Sequence, residues 1–195
     1  MAELTGEMGA EAQEALKDLH TGIEAGKKIV TATHDFETKL LAIDTVIGHI
    51  HFNYQEHEDI MDLFLRLSDE VVQLCGELVG MKKGEIHLVV LEEAAAKQGT
   101  AWVLKHRKKL QKERMKEVEV DRQIIAKIHA FFLDIQKIFT EAEHLFKVDI
   151  KKAKITRIKL ELEEKEQEMK HILEQLLRFV AAYERIFRQA LEGLK

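Results

Sequence analysis

Proline is absent from the 195 residues of this chain, and serine, asparagine and cysteine occur once each, as Ser68, Asn53 and Cys75. At ordinary usage a chain of this length carries roughly ten prolines. Proline, serine and asparagine supply the chemistry of tight turns, so their scarcity excludes a turn-dense β-sandwich or barrel and a proline-rich linker. One cysteine cannot close an internal disulfide, which excludes a disulfide-stapled scaffold and gives no sign of an oxidising compartment. No run of about 18 apolar residues is present, so no transmembrane helix is expected. The opening residues, MAELTGEMGAEAQEALKD, are acidic and lack the basic-then-apolar order of a signal peptide. The expected location is cytoplasmic.

What the chain does have is charge and a helical period. Charged residues make up 33%, against about 25% in an average globular protein. Such a surplus suits long helices, which expose more surface per residue than a sphere. The charge is also uneven. Residues 1–100 hold 8 Lys/Arg and 19 Asp/Glu, residues 101–159 hold 16 and 8, and residues 160–195 hold 6 and 8. An acidic first half and a basic middle can neutralise each other within one chain or between copies.

Apolar residues recur near every 3.6 positions almost throughout. Ile29, Phe36, Ile43 and Ile50 repeat at seven within a first helix expected from about Ala10 to Phe52. Asn53 followed by Glu56 reads as an N-cap with its reciprocal carboxylate, which places a turn there. Ile60, Phe64, Leu67, Val71, Leu74 and Leu78 form the next stripe, and Ser68 falls mid-helix within it. Gly80-Met81-Lys82-Lys83-Gly84 is the expected second break, and Gly99-Thr100 offers another. Asp121 is placed to cap a further helix, and Val148-Asp149 to form a hairpin tip. Between them Ile125, Phe132, Phe139 and Phe146 share one heptad position and form the expected packing core. In the last helix Leu162, Met169, Leu176 and Tyr183 do the same, after Ile155, in a coiled-coil-like seam that widens. The expected fold is all-α. It is an elongated antiparallel bundle of four to five long helices in one domain, 1–195, with an acidic helical segment over residues 1–100 and a basic-to-mixed hairpin over residues 101–195.

Few residues are arranged for chemistry. Two Glu-x-x-His pairs, Glu141/His144 and Glu168/His171, have the spacing of di-iron bundles. A tip at 148–149 leaves them roughly 18 Å apart along the axis, too far for one metal. The same tip sets His129 level with Glu168. His49, His51 and His57 surround the first turn with Glu56, Glu58 and Asp59, residue types that zinc accepts. However, residues two apart point to nearly opposite sides of a helix, so His49 and His51 cannot both join His57. Ser68 and Cys75 are the only nucleophiles of their kind, and Cys75 borders the apolar stripe, where a buried, inert thiol is expected. No glycine-rich phosphate loop is present. Gly76, Gly80 and Gly84 read as part of a flexible turn, or as a smooth stripe on a continuous helix. The apolar arms VVQLCGELVGM and IHLVVLEEAAA around Lys82 and Lys83 outline a membrane-inserting hairpin, but Glu77 and Glu85 oppose insertion.

The basic stretches are the clearest surface feature. Lys105, Arg107, Lys108, Lys109, Lys112, Arg114 and Lys116 form one; Lys147, Lys151, Lys152, Lys154, Arg157 and Lys159 form the other. Phosphate backbones and lipid headgroups both respond to such clusters. Trp102 is the only aromatic beside the first, which speaks against single-strand stacking. The function expected from these features is a non-enzymatic helical scaffold or adaptor working through helix–helix contacts, with a protein partner or itself as a homo-oligomer. Its alternatives are a binder of anionic membrane surfaces or nucleic-acid backbones, and a metal-binding bundle. Neither a cofactor nor a small-molecule substrate is implied.

Overall fold

The computed structural model describes residues 2–53 and 57–194, with side chains for 9–49 and 57–194. Among the described residues there are four helices and no strand: α1 (Ala2–Asn53), α2 (Glu58–Ala96), α3 (Thr100–Lys152) and α4 (Thr156–Glu192). The all-α bundle therefore holds. The Asn53–Glu56 cap and the His51 side chain lie outside the described residues.

Three expected breaks are corrected. The α2 helix runs unbroken through residues 80–84. Leu78, Met81 and Leu88 continue its stripe and are buried. A glycine in a helix interior costs about 1 kcal/mol, whereas burying one such side chain is worth about 1.5–3 kcal/mol, so packing decides. The break falls at 97–99, where Gln98 N–H donates to Ala95 O and Gly99 N–H to Ala96 O in tight i→i−3 bonds. Gly99 has φ +88°, a left-handed backbone that glycine adopts without steric cost.

Asp121 is not a cap. It lies within α3, fully buried, at the next step of the stripe Leu110–Arg114–Val118. Nor is Val148-Asp149 a tip, because α3 continues to Lys152 and the chain turns at 153–155. Lys151 and Lys152 sit in the last turn, where cations suit the negative end of the helix dipole. Ile155 is exposed, so the α4 seam begins only at Leu162. The later turn resets the register of the hairpin. His129 Nδ1 faces Glu184 at 3.2 Å rather than Glu168, and Lys170 Nζ pairs with Glu143 at 3.0 Å.

The chain divides into two compact units. Unit 1 comprises Met1–Phe36, Glu77–Ile125 and Arg185–Lys195; unit 2 comprises Glu37–Gly76 and Ala126–Glu184. In unit 1 Ala15, Leu19 and Ile23 of α1 pack on Val89 and Ala95 of α2 and on Val103 and Leu110 of α3. Phe36 meets Phe187 with ring centroids 6.1 Å apart, and Ile125 is buried. In unit 2 Phe64, Leu67, Ile128, Ile135, Ile138 and Phe146 are fully buried, as are Met169 and Leu176, with Leu162 and Tyr183 nearly so. Phe132 and Phe139, placed in the core from sequence, are only half-buried. Each stands beside another core side chain, Phe131 or Ile138, and neighbours on a helix diverge by 100°. One of each pair must therefore lie at the margin of the face. Ser68, mid-helix as expected, donates its hydroxyl to Asp44 Oδ1 at 2.5 Å.

Candidate functional site

The surface residues singled out in the sequence meet different fates. Lys105, Lys108, Lys109 and Lys112 are exposed on α3, and their spacing (i, i+3, i+4, i+7) sets them on one ridge. Arg107 does not belong to that ridge; its Nη2 is 2.8 Å from Asp18 Oδ2. Arg114 leaves the surface altogether and is buried. Lys151, Lys152 and Lys154 are exposed, and Arg157 pairs with Glu161 one turn on.

Among the described residues the histidine and nucleophile readings gain no site. His57 lies 3.4 Å from Asp149, while His49 is exposed. Glu141 faces Arg66, and His171 shares a hydrogen bond with Gln175. The structure does not bring the two Glu-x-x-His motifs together. Cys75 is buried, and burial, followed by the charges of Glu37 and Asp44, pushes its thiol pKa up. A protonated thiol is a poor nucleophile.

Two arrangements stand out that sequence reasoning missed. The first is the outer face of α2. In unit 2 it exposes Leu65 and Val72, and in unit 1 Ile86 and Val90, with Val72 at 57% and Val90 at 59%. Gly76 and Gly80 are also exposed, and a Cβ added to either meets nothing within 4 Å. The glycine spacing carried this signal, but it was divided between a turn and a stripe.

The second lies inside unit 1. The buried face of α2 carries Glu85 and Glu92 seven residues apart, and that of α3 carries Arg114 and Asp121 seven apart. Arg114 donates through all three of its guanidinium nitrogens. Its Nη1 donates to Glu85 Oε1 (3.0 Å) and Oε2 (2.9 Å), its Nε to Glu92 Oε1 (3.1 Å), and its Nη2 to Glu92 Oε2 (2.5 Å) and to the Gly22 carbonyl (3.0 Å). Burial disfavours the guanidinium charge, but the hydrogen bonds and charges of Glu92 and Glu85 outweigh it, so its pKa is raised.

Glycines make room for these groups. A Cβ on Gly26 would lie 2.5 Å from Glu85 Oε2 and 2.6 Å from Val89 Cγ2. One on Gly84 would collide with the Glu117 carboxylate. Carboxylate oxygens of Glu85, Glu117 and Asp121 all lie within 4.8 Å of one another. Burial, then the charge of Glu85, pushes Asp121 up to about 9. The same two causes raise Glu117, and burial raises Glu92 against its bonds to Arg114. The sequence signal for this cluster was the presence of charged residues on steps of an apolar stripe.

Comparison with family models, with curated proteins and with solved structures finds no match to this chain.

Proposed function

We propose that the chain is a helical scaffold that docks a partner helix, a second copy of itself included, along the outer face of α2. The observation that carries this reading is the pairing of outward apolar side chains with open glycines. Leu65, Val72, Val79 and Ile86 repeat at seven, the spacing with which one helix packs on another. Apolar side chains exposed together on one helix face mark interaction sites, and here they share the face with the exposed charges of Asp69 and Lys83. Exposed glycine inside a helix costs about 1 kcal/mol relative to alanine, a cost offset when a partner backbone approaches closely.

Sedimentation velocity over a wide concentration range is expected to show association that persists in high salt, since apolar contacts are not screened. Val72→Glu with Val90→Glu should return the chain to monomer. Gly76→Ala with Gly80→Ala should raise the stability of the monomer by about 1 kcal/mol per site and yet weaken association. A chain that stays monomeric at every concentration and salt would sink self-docking, and pull-down of a partner insensitive to both double variants would sink the α2 face.

A second reading rests on the lysine ridge. Among the described residues Lys105, Lys108, Lys109 and Lys112 make no ion pair, and together they present four positive charges to an anionic phosphate surface. Retention on anionic liposomes or duplex DNA at low salt should vanish on charge reversal at Lys108, Lys109 and Lys112. For DNA, each phosphate contact adds about 0.9 to the salt slope. If the unaltered chain is not retained, this reading ends.

A further inference from the structure

We propose that Glu85, Glu117 and Asp121 form a binding site for a hard divalent cation. Glu85 comes from α2, and Glu117 and Asp121 from successive turns of α3, so two rigid helices fix the three carboxylates. Their oxygens lie within 4.8 Å of one another. Ligand oxygens 2.0–2.6 Å from a common ion, as in Mg²⁺ and Ca²⁺ sites, stand no farther apart than about 5 Å.

The independent observation is Asp121. Its side chain is 0% exposed and is aimed into this cluster. Neither of its oxygens meets an N–H or hydroxyl donor among the described residues, and its polar neighbour is the Glu85 carboxylate, which it can bond only by holding a proton. Buried polar atoms are rarely left so, because an unmet buried carboxylate is costly. Among the described residues the cation beside it is Arg114, whose three nitrogens are engaged by Glu85, Glu92 and the Gly22 carbonyl; His87 lies nearer Glu117. Four carboxylates therefore share the surroundings of one guanidinium. A doubly charged ion offsets most of that excess and gives the Asp121 oxygens a partner.

Two further details fit. Gly84 leaves the space that the Glu117 carboxylate occupies, and any larger residue there would displace it. Glu117 is half-buried, which leaves a side from which an ion can enter and on which waters can complete its shell. Arg114 Nη1, shared between the two Glu85 oxygens, holds one ligand in orientation from outside, as hydrogen-bond partners of metal ligands do. An all-oxygen set without histidine or cysteine suits Mg²⁺, Mn²⁺ or Ca²⁺.

The test uses the full chain, stripped with chelator and then titrated with Mn²⁺ alone. Free Mn²⁺ is followed by electron paramagnetic resonance and binding heat by calorimetry. One Mn²⁺ per chain is expected, displaceable by excess Mg²⁺ or Ca²⁺. Glu117→Gln should weaken binding by about tenfold or more, and Asp121→Asn should abolish it. Glu119→Gln, an exposed carboxylate on the same helix, should match the unaltered chain. If Asp121→Asn does not fold, as judged by circular dichroism, Glu117→Gln decides alone. No Mn²⁺ bound at millimolar concentration overturns the proposal, leaving a proton shared by Asp121 and Glu85 as the occupant. Binding as tight in Glu117→Gln as in the unaltered chain overturns it equally.

Discussion

Arg114→Met is expected to destabilise the protein by about 3–5 kcal/mol, the cost of leaving buried charges without their partner. Methionine keeps most of the side-chain volume, so the loss is electrostatic. Glu85 and Glu92 are both buried and draw four of their hydrogen bonds from Arg114. The Gly22 carbonyl loses a donor as well. Lysine should recover only part of the effect, because a single ammonium cannot grip two carboxylates with a planar fork. Arg114→Met combined with Glu85→Leu and Glu92→Leu should recover most of it, since apolar replacement of a whole buried ionic group is often neutral or better. Urea unfolding measures this, read as a shift of midpoint at constant slope. A loss below about 1 kcal/mol, the range of exposed pairs, would show that the triad carries no more than a surface salt bridge.

Helix and stripe were legible in the sequence because burial sets a period, and the period survives any single residue. Breaks were less legible, because this chain spends its glycines on more than turns. Gly80 and Gly84 look like punctuation, yet Leu78, Met81 and Leu88 hold the helix through them. Gly99 looks the same in sequence and does end a helix, because the stripe fades after Ala95 and the backbone turns left-handed. The turn at 153–155 has no glycine, proline or asparagine to announce it. Its signal is only that Ile155, Ile158 and Leu160 cease to be covered. Misplacing that turn was enough to pair His129 with Glu168 instead of Glu184.

The ionic cluster was hidden for a related reason. Arg114 reads as one more member of a basic run, and Asp121 as a cap, when each is taken with its neighbours in sequence. Taken with residues three, four and seven away, both fall on the buried stripe of α3, and Glu85 and Glu92 fall on that of α2. A charged residue at a step of an apolar stripe is seldom free to leave it. It must find an opposite charge, a proton or an ion. Gly22, Gly26 and Gly84 are legible only after that, as the places where such side chains are admitted.

Asp121→Asn should make the metal-free protein more stable at alkaline pH and flatten its response to pH. With chelator present, the folded chain holds a proton on Asp121 up to about 9. The unfolded chain releases that proton near the ordinary aspartate value of about 3.9. Between those limits the native state binds more protons than the unfolded one, so stability falls as pH rises. The limiting slope for one proton is about 1.4 kcal/mol per pH unit, which for a chain of this length is a few degrees of melting temperature per unit. Glu117 and Glu92, also raised, act with the same sign. Glu93 and Glu143, held below the usual range by Lys27 and Lys170, act with the opposite sign, and only in acid. Glu70 and Cys75, raised chiefly by burial, act with the same sign as the cluster, so the difference between the unaltered chain and Asp121→Asn, and not the slope alone, reports Asp121. An asparagine amide can donate to Glu85 where the proton did and does not titrate. The unaltered chain should melt at a lower temperature at pH 8.5 than at pH 6, and the variant should lose much of that difference. Equal pH dependence in the two would show that Asp121 is ionised in the folded chain.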